Sequence, residues 1–368
     1  MMKVCHMTSV HGPEDERIFF KECVSLARNG YEVYQVSQGG SYEKNGVHVV
    51  GVGEPPAGRL KRMTAFTKKV YQAALALDAD IYHFHDPELL PYGLKLKKRG
   101  KKVIFDSHED VPGTIYEKAW LPAPLRKITA RVYTRIEKSI CRRLDAVISA
   151  TPHVEARFLA INARSILVTN FPILVPYTRP SASQSKTLVF FGGISRQWNH
   201  HTIIQALEKL PGCQYLLYGG GTDGYFQELR ALPAWRQVQY GGKVPHEKVF
   251  DIMVNGSIGM SLLSYIPNSD WKNGNMSNTK IFEEMMMGLP VVCTDFVLWK
   301  EFVERWHCGI CVNPSDPDAV AAAVQYLLDH PEEARQMGEN GRRAVKGEFN
   351  WGVEEKNLLA LYEEILNK

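Results

Sequence analysis

The sequence predicts an α/β protein built from two doubly wound parallel-sheet domains. Three observations carry this expectation. The chain has 368 residues, more than a single core of ordinary size accommodates. Short apolar runs alternate with helix-like stretches from end to end, and several runs are continuously apolar, as strands covered on both faces are. The alternation breaks once, in a proline- and serine-rich stretch, and then restarts.

In the first half the pattern predicts strands over 3–7, 32–36, 47–52, 81–85, 103–106 and 146–150, with helices over 16–28, 60–76, 88–98 and 124–143. The helix over 16–28 ends on Asn29-Gly30, a usual helix stop. Residues 171–186, with three prolines and no helical period, read as an interdomain linker. Strands are then expected over 188–191, 214–218, 238–240, 258–263, 291–294 and 310–313. Three helical segments close the chain, at 316–329, 331–346 and 350–367. The domains are accordingly 1–170 and 187–349, with a last helix, 350–368, expected to return to the first domain.

Composition sets the class. Apolar residues make up 45% and charged residues 23%, which is ordinary for a globular protein. No run approaches the roughly 20 apolar residues of a membrane span. Residues 1–7 read as a strand and not as a signal peptide, so a cytoplasmic protein is expected. The seven cysteines are odd in number and scattered, which implies no disulfide framework. Cys308 and Cys311 have C-x-x-C spacing beside His307, but a zinc site needs a second pair of ligands and none is near in sequence. Charge is uneven: residues 1–170 carry a balance of +8 and residues 171–368 one of −4, which points to an anionic partner for the first half.

The most informative segment is S-N-T-K-I-F-E-E-M-M-M-G-L-P-V-V, residues 277–292. Ser277 or Asn278 is placed to cap a helix, Ile281, Met285 and Gly288 fall near one face, and Gly288 and Pro290 end it before a strand. A helix start offers unpaired N–H groups and a positive dipole end, which suits phosphate. Lys280 and Glu283, three apart, share one side. A cation for phosphate beside a carboxylate for hydroxyls is what a nucleotide-sugar site needs. An ordinary buried helix of an α/β domain accounts for the segment equally well.

Ligands of such sheets bind beyond the carboxyl ends of the strands, so residues just after strands matter most. In the second half these are Gly192, Gly193 and Arg196, then Tyr218–Gly221 with Gly220, then Gly241–Pro245 with Lys243 and Val244. In the first half they are T-S-V-H-G-P, with His11 and Gly12, then H-F-H-D-P-E, with His83 and His85, then D-S-H-E-D, with His108 and Glu109. His85–Asp86 and His108–Glu109 have the donor types of a metal site, but hydrogen bonding to a sugar is the favoured reading. D-A-D at 78–80 lies before a strand, the wrong end for a ligand. G-x-G-x-x-G is missing, which disfavours a nicotinamide enzyme. Lys127, Arg131, Arg135, Lys138 and Arg142 recur at helical spacing beside the apolar stripe Ile128, Val132, Ile136 and Ile140. They form either the solvated face of a core helix or a surface for anionic lipid. With no interleaved aromatic platform, nucleic acid is not expected.

Taken together, K-I-F-E-E-M-M-M-G-L-P-V-V, D-S-H-E-D, C-G-I-C-V-N-P-S-D and R-I-F-F-K-E-C-V-S-L-A-R-N-G-Y-E-V resemble retaining glycosyltransferases of family 4, over nearly the whole chain. The resemblance implies a GT-B fold, two Rossmann-like domains facing across a cleft, with donor on the second domain and acceptor largely on the first. It implies that Glu283 holds the donor ribose and that Asn275 stands where the family has its other glutamate. It also implies that the backbone over Met276, Ser277, Asn278 and Thr279, with Gly193, Gly220, Lys243 and Val244, contacts the donor. Arg196 and Lys280 fall to the diphosphate, Lys280 supplying a charge that Asn199 lacks. His108 takes the place of a histidine near the donor sugar, and His11, Gly12, His85 and Glu109 lie on the acceptor side. The implied reaction is metal-independent transfer with retention, from a UDP- or GDP-sugar to a glycan or lipid-linked acceptor, and the basic first half fits an acceptor of surface polysaccharide at the inner membrane face. Rival readings are a nucleotide-sugar epimerase of the same shape and a degenerate sugar-nucleotide binder.

Overall fold

A computed structural model describes residues 1–118, 121–176 and 186–367. Residues 177–185 of the expected linker lie outside them. The chain divides into two compact units, Met1–Asn170 with Trp351–Lys368, and Phe171–Asn350.

Unit 1 is built on an eight-stranded sheet of order β3-β4-β2-β1-β5-β6-β7-β8. The strands are β1 Lys3–Met7, β2 Glu32–Ser37, β3 Tyr42–Lys44, β4 Val47–Gly51, β5 Ile81–Phe84, β6 Lys102–Ser107, β7 Ala146–Ser149 and β8 Ser165–Leu167. All neighbours pair in parallel except β3 with β4. The two strands missing from the sequence expectation, β3 and β8, are three-residue edge strands. Tyr42–Lys44 is polar and half exposed, so it carries no apolar signal. Two helices also went unpredicted. Val111–Glu117 begins V-P-G, which reads as a turn, yet the Asp110 carboxylate caps it by accepting from Gly113 N at 3.1 Å. Pro152–Leu159 likewise opens on proline.

The last helix, Trp351–Leu366, packs into unit 1. Trp351, Leu358, Leu361, Tyr362 and Ile365 join Ile18, Phe19, Ile81, Ile104 and Ile148 in one buried cluster. Trp351 Nε1 donates to Ser25 Oγ at 2.9 Å, and Thr169 N donates to the Glu354 carboxylate at 3.0 Å. Helix Ala123–Cys141 differs from the sequence expectation in how it is seated. It packs through Ala130, Glu137, Ile140 and Cys141, while Ile128, Val132 and Ile136 stand about half exposed. Of the stripe read from the sequence, only Ile140 belongs to the core.

Unit 2 carries a six-stranded, all-parallel sheet of order β11-β10-β9-β12-β13-β14. Its strands are β9 Thr187–Phe191, β10 Gln214–Tyr218, β11 Val238–Gly242, β12 Ile258–Ser261, β13 Val291–Thr294 and β14 Gly309–Val312. In each sheet the winding reverses once, between β1 and β5 and between β9 and β12, and the loops after those strands are the ones a ligand meets. The Cys293 and Cys311 thiols sit 3.6 Å apart on paired strands, as small apolar fillers of β13 and β14.

Helix Thr279–Met286 buries Ile281, Phe282, Met285 and Met286 and stops where Gly288 adopts φ +69°. Its Glu284 is wholly buried, with Oε2 accepting from Ser261 Oγ at 2.8 Å and Oε1 without a partner. Burial pushes its carboxyl up to about 8. An unfolded glutamate titrates near 4.5, so the stability contributed by protonated Glu284 is complete below that pH and lost as pH rises through about 8. Glu284→Gln is therefore expected to make unit 2 more stable than the parent at pH 9, by roughly 2–5 kcal/mol, and nearly equal at pH 4.5. Urea unfolding at the two pH values checks this; an equal gain at both would show that charge on Glu284 is irrelevant.

Candidate functional site

In unit 1 the site grows from three strand ends. Asp86 follows β5 and its Oδ2 gathers the loop after β1, accepting from Thr8 Oγ1 at 2.9 Å, Ser9 N at 2.5 Å and Val10 N at 3.2 Å. That loop carries His11, whose Nδ1 meets Asp15 Oδ2 at 2.9 Å and whose Nε2 lies 3.7 Å from Asp86 Oδ1. Burial opposes a charge on this imidazole, but the hydrogen bond and field of Asp15 outweigh it and raise the His11 pKa. Gly12 has open space where a Cβ would stand, and its φ is not in the left-handed range, so the backbone does not require glycine there.

Behind the loop lies a buried polar network centred on Asp106, at the end of β6. Arg17 holds both carboxylate oxygens, Nε to Oδ2 at 2.8 Å and Nη2 to Oδ1 at 3.0 Å. Its Nη1 donates to Val168 O at 2.8 Å. His108 Nε2 and His85 Nδ1 reach Asp106 Oδ2 at 3.0 and 3.3 Å. Burial disfavours the Asp106 charge, yet Arg17 and His108 hold its pKa well below the usual range. Arg17 sits on helix Glu16–Cys23, whose wide π-type turns bring Glu22, five residues on, to the same place. Glu22 Oε1 is 3.1 Å from Arg17 Nε but off its N–H axis, which points at Asp106. Burial and the Asp106 charge raise the Glu22 pKa well above normal, which keeps it protonated beside the Arg17–Asp106 pair.

His6, Glu22, His83 and His85 offer ligand atoms within 4.8 Å of one another, as do His85, Asp106 and His108, so the donor set suits a divalent transition metal in type. Most of the ring nitrogens of these histidines are already hydrogen-bonded, however. His6 Nδ1 and His85 Nε2 are hydrogen-bonded to each other at 3.0 Å, and His83 Nδ1 to Tyr362 Oη at 2.8 Å. Hydrogen bonding therefore explains the cluster better than a metal does. Asp78 and Asp80, before β5, are also structural: Asp80 accepts from Lys3 N at 2.8 Å and Asp78 pairs with Lys101 at 2.6 Å.

Unit 2 builds its site after β9, β10 and β11 and at the start of helix Thr279–Met286. Gly192 and Gly219 adopt φ of +144° and +140°, and each is crowded: a Cβ on Gly192 would collide with the Lys280 side chain, and one on Gly219 with Gly192 O. Lys280 thus lies along the Gly192 backbone, with its Nζ 4.6 Å above the Trp198 ring. Glu283 is buried, and its Oε1 meets His246 Nε2 at 2.8 Å. Asn278 occupies the cap position of the helix without a side-chain capping bond, so neither Ser277 nor Asn278 caps as the sequence suggested. Asn275 instead organises the turn, its Oδ1 accepting from Ser277 N at 3.2 Å and Ser277 Oγ at 3.1 Å. The Asn275 carbonyl accepts from Trp299 Nε1 at 2.7 Å, which fixes Met276–Thr279 from below. Lys243 lies against Gly220, beside a cavity of about 540 Å³ lined by Asp223, Phe226, Arg230 and Tyr240 among others. Val244 packs against the apolar cluster around Phe191 and Val249.

Unit 1 brings three of the expected residues together: the His11 and His85 rings lie 5.1 and 5.2 Å from that of His108. Glu109 is exposed, with Thr114 Oγ1 3.5 Å from its carboxylate. In unit 2, Lys280 meets the first glycine turn, at Gly192 and not Gly193. Arg196 turns to Glu228 and lies 5.2 Å from the Tyr225 ring. Asn199, in the left-handed region at φ +44°, ties its turn to β12 by donating to Leu262 O at 3.1 Å. His6, Arg17, Glu22, Tyr362 and His246 were missed. His6 is hidden inside an apolar strand, and Tyr362 arrives from the far end of the chain. Arg17 and Glu22 alone left a signal, as charges on the buried side of a helix.

A model described as "Glycosyl transferase 4-like domain" matches residues 20–172, and one described as "Glycosyl transferase-like" matches residues 196–360. An MMP alpha-(1->4)-mannosyltransferase of Mycolicibacterium hassiacum is 34% identical over 85 residues, 23% of this chain and 21% of that protein. The matched stretches span 21–45% of the lengths of the first curated relatives. Sucrose-phosphate synthase from Thermosynechococcus elongatus has a similar structure at TM-score 0.78 and 19% identity, covering 100% of both chains. HepE of Anabaena, solved with UDP and glucose, is similar at TM-score 0.75 and 15% identity, over 99% of this chain and 100% of that one. Two parallel-sheet units and a pair of matching family models that together account for most of the residues place this chain among the GT-B glycosyltransferases, with a glycosyl transferase 4-like N-terminal half.

Proposed function

We propose that the chain transfers a glycosyl group from a UDP- or GDP-sugar to a glycan or lipid-linked acceptor, with retention and without a metal. The observation that carries this is the start of helix Thr279–Met286. It combines the positive end of a helix dipole, the Lys280 ammonium against the Gly192 turn, and the buried Glu283 carboxylate held by His246. A diphosphate satisfies the first two, and a ribose diol satisfies a carboxylate with open lone pairs. The complex of HepE with UDP and glucose supports the ligand class. Catalysis then rests on stabilising the departing diphosphate by a cation and a helix dipole. On this reading His108 and the residues around it serve the sugar and the acceptor side.

The variants Glu283→Ala and Lys280→Ala separate binding from chemistry. Loss of the ribose contact is expected to weaken nucleotide binding by about 2 kcal/mol, roughly thirtyfold in Kd. Loss of Lys280 is expected to lower kcat more than it raises KM, because leaving-group charge grows in the transition state. Calorimetry with UDP, GDP and their sugar conjugates, followed by steady-state rates, checks both. No binding of any member of that panel by the parent protein would remove the basis of the proposal.

A membrane-bound acceptor is favoured by helix Ala123–Cys141. Leu125, Ile128, Val132 and Ile136 are 48%, 55%, 48% and 49% exposed in one stripe, and Lys127, Arg131, Arg135, Lys138 and Arg142 stand exposed beside it. Leu60 and Met63 are also exposed, among Arg59 and Lys61. Apolar side chains flanked by cations match an anionic bilayer surface. Among the described residues no helix is long and apolar enough to cross a membrane. Co-sedimentation with vesicles containing phosphatidylglycerol should exceed that with neutral vesicles and fall several-fold in Ile128→Glu/Val132→Glu. Equal binding to both vesicle types would contradict it.

A further inference from the structure

The buried histidines of unit 1 form one continuous chain of contacts. It runs from His83 Nδ1 to Tyr362 Oη at 2.8 Å, on to His6 Nε2 at 3.4 Å, and from His6 Nδ1 to His85 Nε2 at 3.0 Å. It ends at His85 Nδ1, which faces Asp106 Oδ2 at 3.3 Å and His108 Nε2 at 3.2 Å. Burial lowers the pKa of His6 and His83 well below normal and that of His85 to about 4, so all three are neutral near pH 7. A neutral imidazole has one donor and one acceptor, so each link constrains the next.

The direction follows from one fixed end. Asp106 is a carboxylate held ionised by Arg17 and only accepts, so His85 Nδ1 carries hydrogen. His85 Nε2 is then an acceptor, and His6 Nδ1 must donate to it. His6 Nε2 accepts in turn, and the Tyr362 hydroxyl supplies that hydrogen while receiving one from His83 Nδ1. This leaves His83 Nε2 as a buried lone pair without a partner, the less costly orphan compared with a buried N–H.

We infer that this relay is a positioning device for His108: by keeping hydrogen on His85 Nδ1 it denies His108 Nε2 any acceptor except Asp106, which leaves His108 Nδ1 as an acceptor for a hydroxyl of the bound sugar or acceptor. The alternative shows why the relay matters. Were His85 protonated on Nε2, its bare Nδ1, 3.2 Å from His108 Nε2, would compete with Asp106 for the His108 hydrogen. His6 prevents that state, and Tyr362, on the last helix, prevents His6 from turning round. No described residue hydrogen-bonds His108 Nδ1, and the His108 side chain is 16% exposed, so that atom is left for a ligand. His85, His6 and Tyr362 act through His108 and are positioning residues. The ligand class, a hydroxyl and not a carbonyl or carboxylate, rests on the glycosyl-transfer reading above; the proton positions do not.

The test reads proton positions before rates. With 15N-labelled histidine, long-range 1H–15N spectra at pH 7.5 are expected to show hydrogen on Nδ1 of His6, His83 and His85 and on Nε2 of His108. In Tyr362→Phe, His6 and His85 should become mixtures of tautomers, and kcat should fall about tenfold with the Kd for the free nucleoside diphosphate unchanged, since the residues proposed to hold the nucleotide lie in unit 2. His85→Asn, whose amide replaces the Nδ1 donor, should recover most of the kcat lost in His85→Leu. Hydrogen on His85 Nε2 in the parent protein would overturn the relay, as would one equivalent of transition metal retained on His6 and His85 by the purified chain. A kcat loss that follows thermal stability equally in all three variants would reduce these residues to packing. If no glycosyl transfer is found at all, the spectra still decide the relay by themselves.

Discussion

Unit 1 depends on the pairing of Arg17 with Asp106. Both groups are buried, and a buried charge is tolerated only with a partner of good geometry and with its remaining hydrogen-bonding sites filled. The guanidinium fork meets both oxygens of Asp106, and the third arm reaches the Val168 carbonyl. The pair then decides its neighbours. Glu22 stays protonated because one carboxylate charge already balances Arg17. The histidines around it remain neutral, and each takes the tautomer its neighbour leaves open. Strands β1, β5 and β6, helix Glu16–Cys23 and the last helix of the chain are thereby tied to the ring of His108.

Unit 2 solves a different problem with fewer charges. Two glycines with positive φ let the backbone after β9 and β10 come within contact, and Lys280 fills the space a side chain would need. The helix start is preceded by a turn whose bonds come from Asn275 and Trp299, not from the cap residue. A glutamate at position 275 would offer the same acceptor atoms one bond further out, with a charge. The amide therefore reads as a local support of the turn, and the cationic balance at the helix start is left to Lys280.

The sheet strands were legible because parallel strands are continuously apolar and leave a simple trace. What escaped were pieces without such a trace: the polar edge strand Tyr42–Lys44 and the helix opening on Val111-Pro112-Gly113, stabilised by one capping carboxylate. The exposed apolar stripe of helix Ala123–Cys141 has the same period as a core stripe, so the sequence could not say which face is buried. In the site, Glu283 and Lys280 were visible because three residues on a helix fix their separation. The His246 contact was not, because it joins two helices through residues 37 apart in sequence. The relay through His6, His85 and Tyr362 spans 356 residues, and no spacing rule reaches that far.

The central proposal is that a donor held at the Glu283 helix loses its sugar to an acceptor with its anomeric configuration kept. Proton NMR of a reaction containing an α-linked nucleotide sugar and a lipid-linked acceptor measures this directly. The account predicts an α-linked product appearing in step with free nucleoside diphosphate. A β-linked product, or consumption of the donor at the same rate without acceptor, would contradict it.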